Sequence, residues 1–185
     1  MSVKGPAIAV LPLFVREKFG QQGLDRWLEA ISPRARQVYT SQILPSEWYP
    51  IEETYLQPTR VLCDLFFQGD PAGARQIGAY SADYALKGVY RAFVKMTSVK
   101  FFVSRTASIL QTYYRPCTAQ VVLSEPKRAA LQMHEFPKPS VYAEMRIAGW
   151  TQRAFEIHGC RNPVVEVTKS LAGGDPFAEF TGSWE

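Results

Sequence analysis

The chain has 185 residues, the length of one domain and short of two. Its 46% hydrophobic and 21% charged content excludes disorder and low complexity, and a net charge of +4 is too modest to imply nucleic acid. Two histidines and three cysteines leave little from which to build metal or thiol chemistry. In chain order, Ile8, Leu11, Val15 and Phe19 recur at helical spacing until Gly20 stops the helix, and Pro12 predicts a kink or a late start. A second helix follows from Gly23 to Ile31, with Leu24, Trp27, Leu28 and Ile31 on one face. Ser32-Pro33 is an N-cap with proline at the first helical position, opening a short helix through Tyr39. Residues 41–50, with two prolines, read as a linker. A helix from about Ile51 to Phe67 carries an internal Pro58; Asp70 then caps another through Ala85.

Gly88 to Met96 predicts a further helix, and Ser98 caps a longer one striped by Val99, Phe102, Thr106, Ile109 or Leu110, and Tyr113. At Arg115-Pro116 the period changes to alternation. Thr118–Leu123 and Arg128–Phe136 flank the turn Ser124–Lys127 and read as a hairpin. A helix returns from about Ser140 to His158, with an apolar face wide enough for a buried helix packed across a sheet. Val164–Thr168 and Phe177–Trp184 are the last strands, joined by a loop containing Gly173-Gly174-Asp175-Pro176. About six helices followed by β-β-α-β-β predict a single α+β domain over residues 1–185, N-terminal helices packed with a four-stranded antiparallel sheet.

The cysteines, Cys63, Cys117 and Cys160, form no CxxC pair, so the chain reads as a cytoplasmic protein with reduced thiols. No stretch reaches the length of a membrane span. No GxSxG or HExxH motif is present. His158 precedes Gly159-Cys160 at a helix end, where an imidazole interacts with the helix dipole and final carbonyls. With Cys160 it supplies at most two ligands, short of a zinc site. The sequence thus offers no catalytic set, no cofactor and no metal centre, and predicts a non-enzymatic domain. Lys87, Arg91 and Lys95 form a basic stripe at i, i+4, i+8, read as a solvated face or as a surface for an acidic protein partner. It has no interleaved aromatics of the kind a nucleic-acid surface needs. Aromatic residues concentrate on the helices, among them Tyr80, Tyr84, Tyr90, Phe93, Phe101, Phe102, Tyr113 and Tyr114. They serve either core packing or the wall of a hydrophobic cavity. The candidate wall is Phe93, Phe102, Leu110, Tyr113 and Met145, suited to a small hydrophobic ligand.

Lys4-Gly5, the segment Val15-Arg16-Glu17-Lys18-Phe19-Gly20, and Leu24-Asp25-Arg26-Trp27-Leu28 resemble the start of haem nitric oxide/oxygen-binding (H-NOX) domains. A helix ending in Thr112-Tyr113-Tyr114, then hairpin, long helix and two strands, is similar to the same domain. Ile43-Leu44-Pro45-Ser46-Glu47-Trp48-Tyr49-Pro50, Gly88-Val89-Tyr90-Arg91-Ala92-Phe93 and Gly174-Asp175-Pro176-Phe177-Ala178-Glu179-Phe180 resemble motifs of an uncharacterised bacterial family of about this length. The wider superfamily includes 4-vinyl reductase-type ligand-binding domains and the vesicle-tethering TRAPP subunits.

The departures shape what the resemblance implies. Where the haem-binding branch carries its iron-ligating histidine, this chain has Ile109-Leu110-Gln111. The Tyr-Ser-Arg signature that holds haem propionates is missing from the strand Ala129-Ala130-Leu131-Gln132-Met133-His134. The late cysteines of the 4-vinyl reductase branch are replaced by Ala178 and by Thr168-Lys169-Ser170. The resemblance therefore implies a haem-free signalling or sensory domain that binds a small apolar ligand. Its alternative is a dimerising scaffold that, like the tethering subunits, binds a small GTPase or other regulator.

Overall fold

The chain begins with a strand. In the computed structural model, which describes residues 1–87 and 96–185, β1 (Ser2–Lys4) lies between β2 (Trp48–Pro50) and β3 (Tyr114–Arg115), antiparallel to both. The supposed linker of residues 41–50 thus ends in a strand. Lys4 and Arg115 flank the Trp48 ring, with Nζ at 4.4 Å and Cζ at 4.7 Å from its centroid, and two cations on one indole hold this small sheet together.

Helix α1 (Gly5–Ala30) has proline in its first turn, where no amide hydrogen is needed. It passes through Pro12 in helical geometry and breaks at Gly20 (φ 72°, ψ −175°), a conformation that a side chain would forbid. The expected disturbance at Pro12 is absent, and the two predicted helices meet at the glycine. Helix α2 (Pro33–Thr40) is capped by Ser32, whose Oγ accepts the Ala35 amide at 3.2 Å. The next segment opens as a π-helical turn (Glu52–Leu56) before α3 (Gln57–Phe66). Pro58 has no N–H for the Thr54 carbonyl. The Tyr39 hydroxyl donates to that carbonyl instead, at 2.5 Å, and the Trp27 indole donates to the Pro58 carbonyl at 3.0 Å. Trp27 and Tyr39 meet edge to face, so a proline inside a helix becomes the anchor for three helices.

Asp70 accepts the Ala72 amide at 2.8 Å and starts α4 (Ala72–Ala85). The predicted helix Gly88–Met96 falls almost wholly outside the described residues. Ser98 caps α5 (Val99–Tyr113) by accepting the Phe101 amide at 3.2 Å. The second sheet is made of β4 (Thr118–Glu125), β5 (Arg128–His134), β6 (Val164–Lys169) and β7 (Ala178–Ser183), in the order β4-β5-β7-β6 with every neighbour antiparallel. The helix α6 (Val141–His158) enters between the two hairpins. The described residues thus form the α+β fold with a four-stranded antiparallel sheet that the element order predicted, with five α-helices before the sheet and one between its hairpins.

Helix α6 packs against β6 and β7 and against α4. On the sheet side Phe155 stacks on Trp184 with centroids 4.8 Å apart and meets Phe102 of α5 edge to face. On the α4 side the two backbones touch. A Cβ placed on Gly78 would lie 2.0 Å from the Arg146 carbonyl oxygen, and one on Gly149 would lie 2.0 Å from that of Arg75. Arg75 reaches from α4 to the Gln152 side chain at 2.7 Å and to the Val165 carbonyl, and Arg153 pairs with Asp83 at 2.9 Å. His158 does end α6, but its Nε2–H donates across to the Thr97 carbonyl at 3.0 Å rather than to its own helix. The loop before β7 is held by Glu144 of α6, which accepts the Ser170 hydroxyl at 2.6 Å and the Ala172 amide at 3.0 Å.

Candidate functional site

The close α4–α6 contact leaves a space beside it. Helices α1, α4, α5 and α6 surround a cavity of about 580 Å³, within the range of small-molecule sites. Helix α1 contributes Pro6, Ala7 and Val10; α4 contributes Gly78, Ser81, Tyr84 and Ala85, followed by Leu86. Ile109, Leu110 and Tyr113 come from α5, and Ile147, Trp150 and Thr151 from α6. Tyr55 and Tyr114 add their rings, with hydroxyl oxygens 2.7 Å apart. These residues are mainly aliphatic and aromatic. The wall carries one charged side chain, Arg146, and no carboxylate among the described residues.

Arg146 is 3% exposed. One terminal nitrogen donates to Thr59 Oγ1 at 3.0 Å, the other to the Ala7 carbonyl at 2.8 Å, and Cζ lies 4.0 Å from the centroid of the Tyr55 ring. The π-helical turn and α3 supply Tyr55 and Thr59, and α1 supplies the carbonyl. Among the described residues no Asp or Glu side chain reaches salt-bridge distance of Arg146.

The predicted wall residues separate. Leu110 and Tyr113 line the cavity. Phe102 is buried elsewhere, 5.5 Å from both Phe155 and His158, and Met145 is half-buried and off the wall. Phe93 lies outside the described residues, as do Arg91 and Lys95 of the basic stripe. Lys87 is exposed, with Nζ 4.8 Å from the Tyr84 ring centroid. Tyr84 and Tyr114, from the aromatic set the sequence offered for a core or a cavity wall, also line it, whereas sequence reasoning missed Arg146, Trp150 and Tyr55. A signal for Arg146 was present: it falls three residues after Ala143 and four before Trp150, on the face that periodicity assigns to the core, where a charge has no ordinary place.

An iron porphyrin takes its axial ligand from histidine, cysteinate, methionine or tyrosinate. The described wall has no histidine, cysteine or methionine, and residues 88–95 contain none in their sequence. Both histidines are turned elsewhere: His158 donates to Thr97 and packs on Phe102, and His134 packs on Phe177. Tyr113 and Tyr114 are poor substitutes, because ligation needs the phenolate. Burial raises the Tyr113 hydroxyl above its ordinary value. It also raises Tyr114 well above, helped by Tyr55 and only partly opposed by Arg146. This donor set does not suit a haem. Among the described residues no group of three or more His, Cys, Asp or Glu side chains could hold another metal. No helix among them is long and apolar enough to cross a membrane.

No family model matches the sequence, and no curated protein matches it either. The fold is better represented among solved structures. An H-NOX protein from S. oneidensis in the Fe(II)NO state superposes with a TM-score of 0.73 at 12% identity, covering 98% of this chain and 99% of that one. The unliganded Fe(II) H-NOX protein from K. algicida gives 0.68 at 14% identity over 98% and 96%, and a mutant of the T. Tengcongensis H-NOX gives 0.65 at 10% over 98% and 97%. At such identities the likeness is one of fold, and over nearly its whole length this chain has an H-NOX-like fold.

Proposed function

We propose that this protein is a non-enzymatic sensory domain that binds a small, largely apolar molecule without haem in the cavity between α1, α4, α5 and α6. The observation that carries the reading is the cavity itself: about 580 Å³ walled by Val10, Ile109, Leu110, Ile147 and Trp150, with hydroxyls at its margin. The fold likeness supports a sensory role, since neighbours such as the S. oneidensis protein carry a ligated small molecule on iron. The wall chemistry supports a different occupant, because a hydrophobic surface without a histidine favours burial of apolar atoms over metal coordination. Three free thiols agree with a cytoplasmic setting.

The test is native mass spectrometry of protein expressed in a haem-replete host, together with its absorbance spectrum. A bound apolar species, or uptake of an apolar fluorophore that Leu110→Trp abolishes by filling the space, is the expected result. A Soret band in the purified protein, or failure of every apolar probe to bind, overturns the reading.

A further inference from the structure

Arg146 raises a question that the apolar wall does not answer. Guanidinium groups keep their charge in proteins, and a buried charge without an opposite partner is costly. Its two protein acceptors, a threonine hydroxyl and a backbone carbonyl, are neutral and engage two of its five N–H donors. The remaining three have no protein acceptor among the described residues. The rest of the described wall contains no carboxylate, and residues 88–95 have no acidic residue in their sequence. The protein therefore brings no counter-charge to this side chain, and Arg146 is among the residues that line the cavity. The Tyr55–Tyr114 pair adds to the effect. One hydroxyl donates to the other, which leaves one phenolic proton for an acceptor in the same space.

We propose that the cavity takes an apolar carboxylic acid in its anionic form, its carboxylate paired with Arg146 and its hydrocarbon body against Ile109, Leu110, Ile147 and Trp150. A single guanidinium matches a monoanion and can present two parallel N–H bonds to a carboxylate. A phosphate dianion would leave a charge uncompensated in an apolar site. The proposal rests on the ligand-binding reading above and specifies its headgroup.

The intact protein is tested by isothermal titration with three ten-carbon probes that differ only in the head: decanoate, decanol and decyltrimethylammonium. A flat acid, 1-naphthylacetate, is added to distinguish a chain from a ring. The expected order is a carboxylate at least tenfold tighter than decanol, with the cation weakest; tight binding of either acid supports the proposal. Arg146→Met is expected to lose at least tenfold for the acid and to leave decanol unchanged. Should that variant fail to fold, Tyr114→Phe and the wild-type headgroup series still decide the matter. Decanol binding as tightly as both acids overturns the headgroup assignment and leaves the apolar site standing. Failure of all four probes overturns the cavity reading, and this proposal with it.

Discussion

Gly149→Ala separates helix propensity from helix packing by sign. In an open helix the substitution stabilises by about 1 kcal/mol. Here the new methyl would sit 2.0 Å from the Arg75 carbonyl oxygen and 2.8 Å from its carbon. Carbon contacts become favourable only near ~3.5 Å, so α4 and α6 must move apart by roughly 1 Å or more. Overpacking of this kind costs about 1–3 kcal/mol. Moving Arg75 also strains its hydrogen bonds to Gln152 and Val165, each worth about 1 kcal/mol. After the propensity gain, the net loss is about 2–4 kcal/mol. For a chain of this size, 1 kcal/mol lowers Tm by roughly 2–4 °C, so the expected fall is about 4–16 °C. The assay is thermal unfolding by circular dichroism, with a urea titration to confirm an unchanged m value. Gly78→Ala behaves alike because its methyl meets the Arg146 carbonyl. The double variant loses less than the sum, since one separation of the helices relieves both clashes. A Tm equal to or above that of the wild type refutes the close approach.

Three further outcomes are expected. Burial holds the hydroxyls of Tyr39, Tyr113 and Tyr114 above their ordinary value. Unfolded phenols ionise from about pH 10 while these stay protonated, so the folded state binds more protons there; stability falls as pH rises beyond about 10 and is untouched by this effect below it. Urea midpoints that stay flat between about pH 8 and pH 11 would contradict this. Burial also pushes the Cys63 thiol up to about 12 and Cys117 up to about 11, while Cys160 is raised but only half-buried. Ellman's reagent on native protein should modify Cys160 first and Cys63 only on unfolding; fast loss of the Cys63 thiol is the contrary result. Glu144→Gln weakens two charge-assisted bonds to the loop after β6 and should cost roughly 1–2 kcal/mol. Amide exchange at Ala172 is expected to quicken, and unchanged protection there counts against the tie.

Features set by a single residue's chemistry could be read in the sequence. Ser32, Asp70 and Ser98 each accept an amide at the start of a helix, and Gly20 takes a conformation that ends helical geometry. The four-stranded sheet was legible because its strands are long enough to alternate. The three-stranded sheet was not: three residues are too few to show a period, and β1 finds both partners more than forty residues away. Pro12 misled: an interior proline loses one bond and crowds the carbonyl four residues back, yet the backbone there keeps helical geometry and breaks only at Gly20. The cavity was half legible. Leu110 and Tyr113 follow from the apolar stripe of α5, but the stripe cannot say which of its members face the sheet, and Phe102 turns to Phe155.

The irregularities that local rules disfavour converge on one end of the cavity. The π-helical turn carries Tyr55; the proline two residues after it frees the Thr54 carbonyl that Tyr39 satisfies; and Thr59, next in the chain, accepts from Arg146. Arg146 in turn offers its own carbonyl to the glycine contact at Gly78. Each feature alone is a small cost: a widened turn, a missing amide, a buried charge, a helix interior without side chains. Such violations of local preference cluster where a structure serves something other than stability. A leucine or methionine at position 146 would fill the same place without a charge to satisfy, and replacing buried ions by packed apolar groups is often neutral or favourable. A cavity meant only for hydrocarbon would gain from that replacement. The neighbourhood instead supplies two acceptors and a ring face to hold the cation in place, which makes sense if the charge is there to meet a ligand.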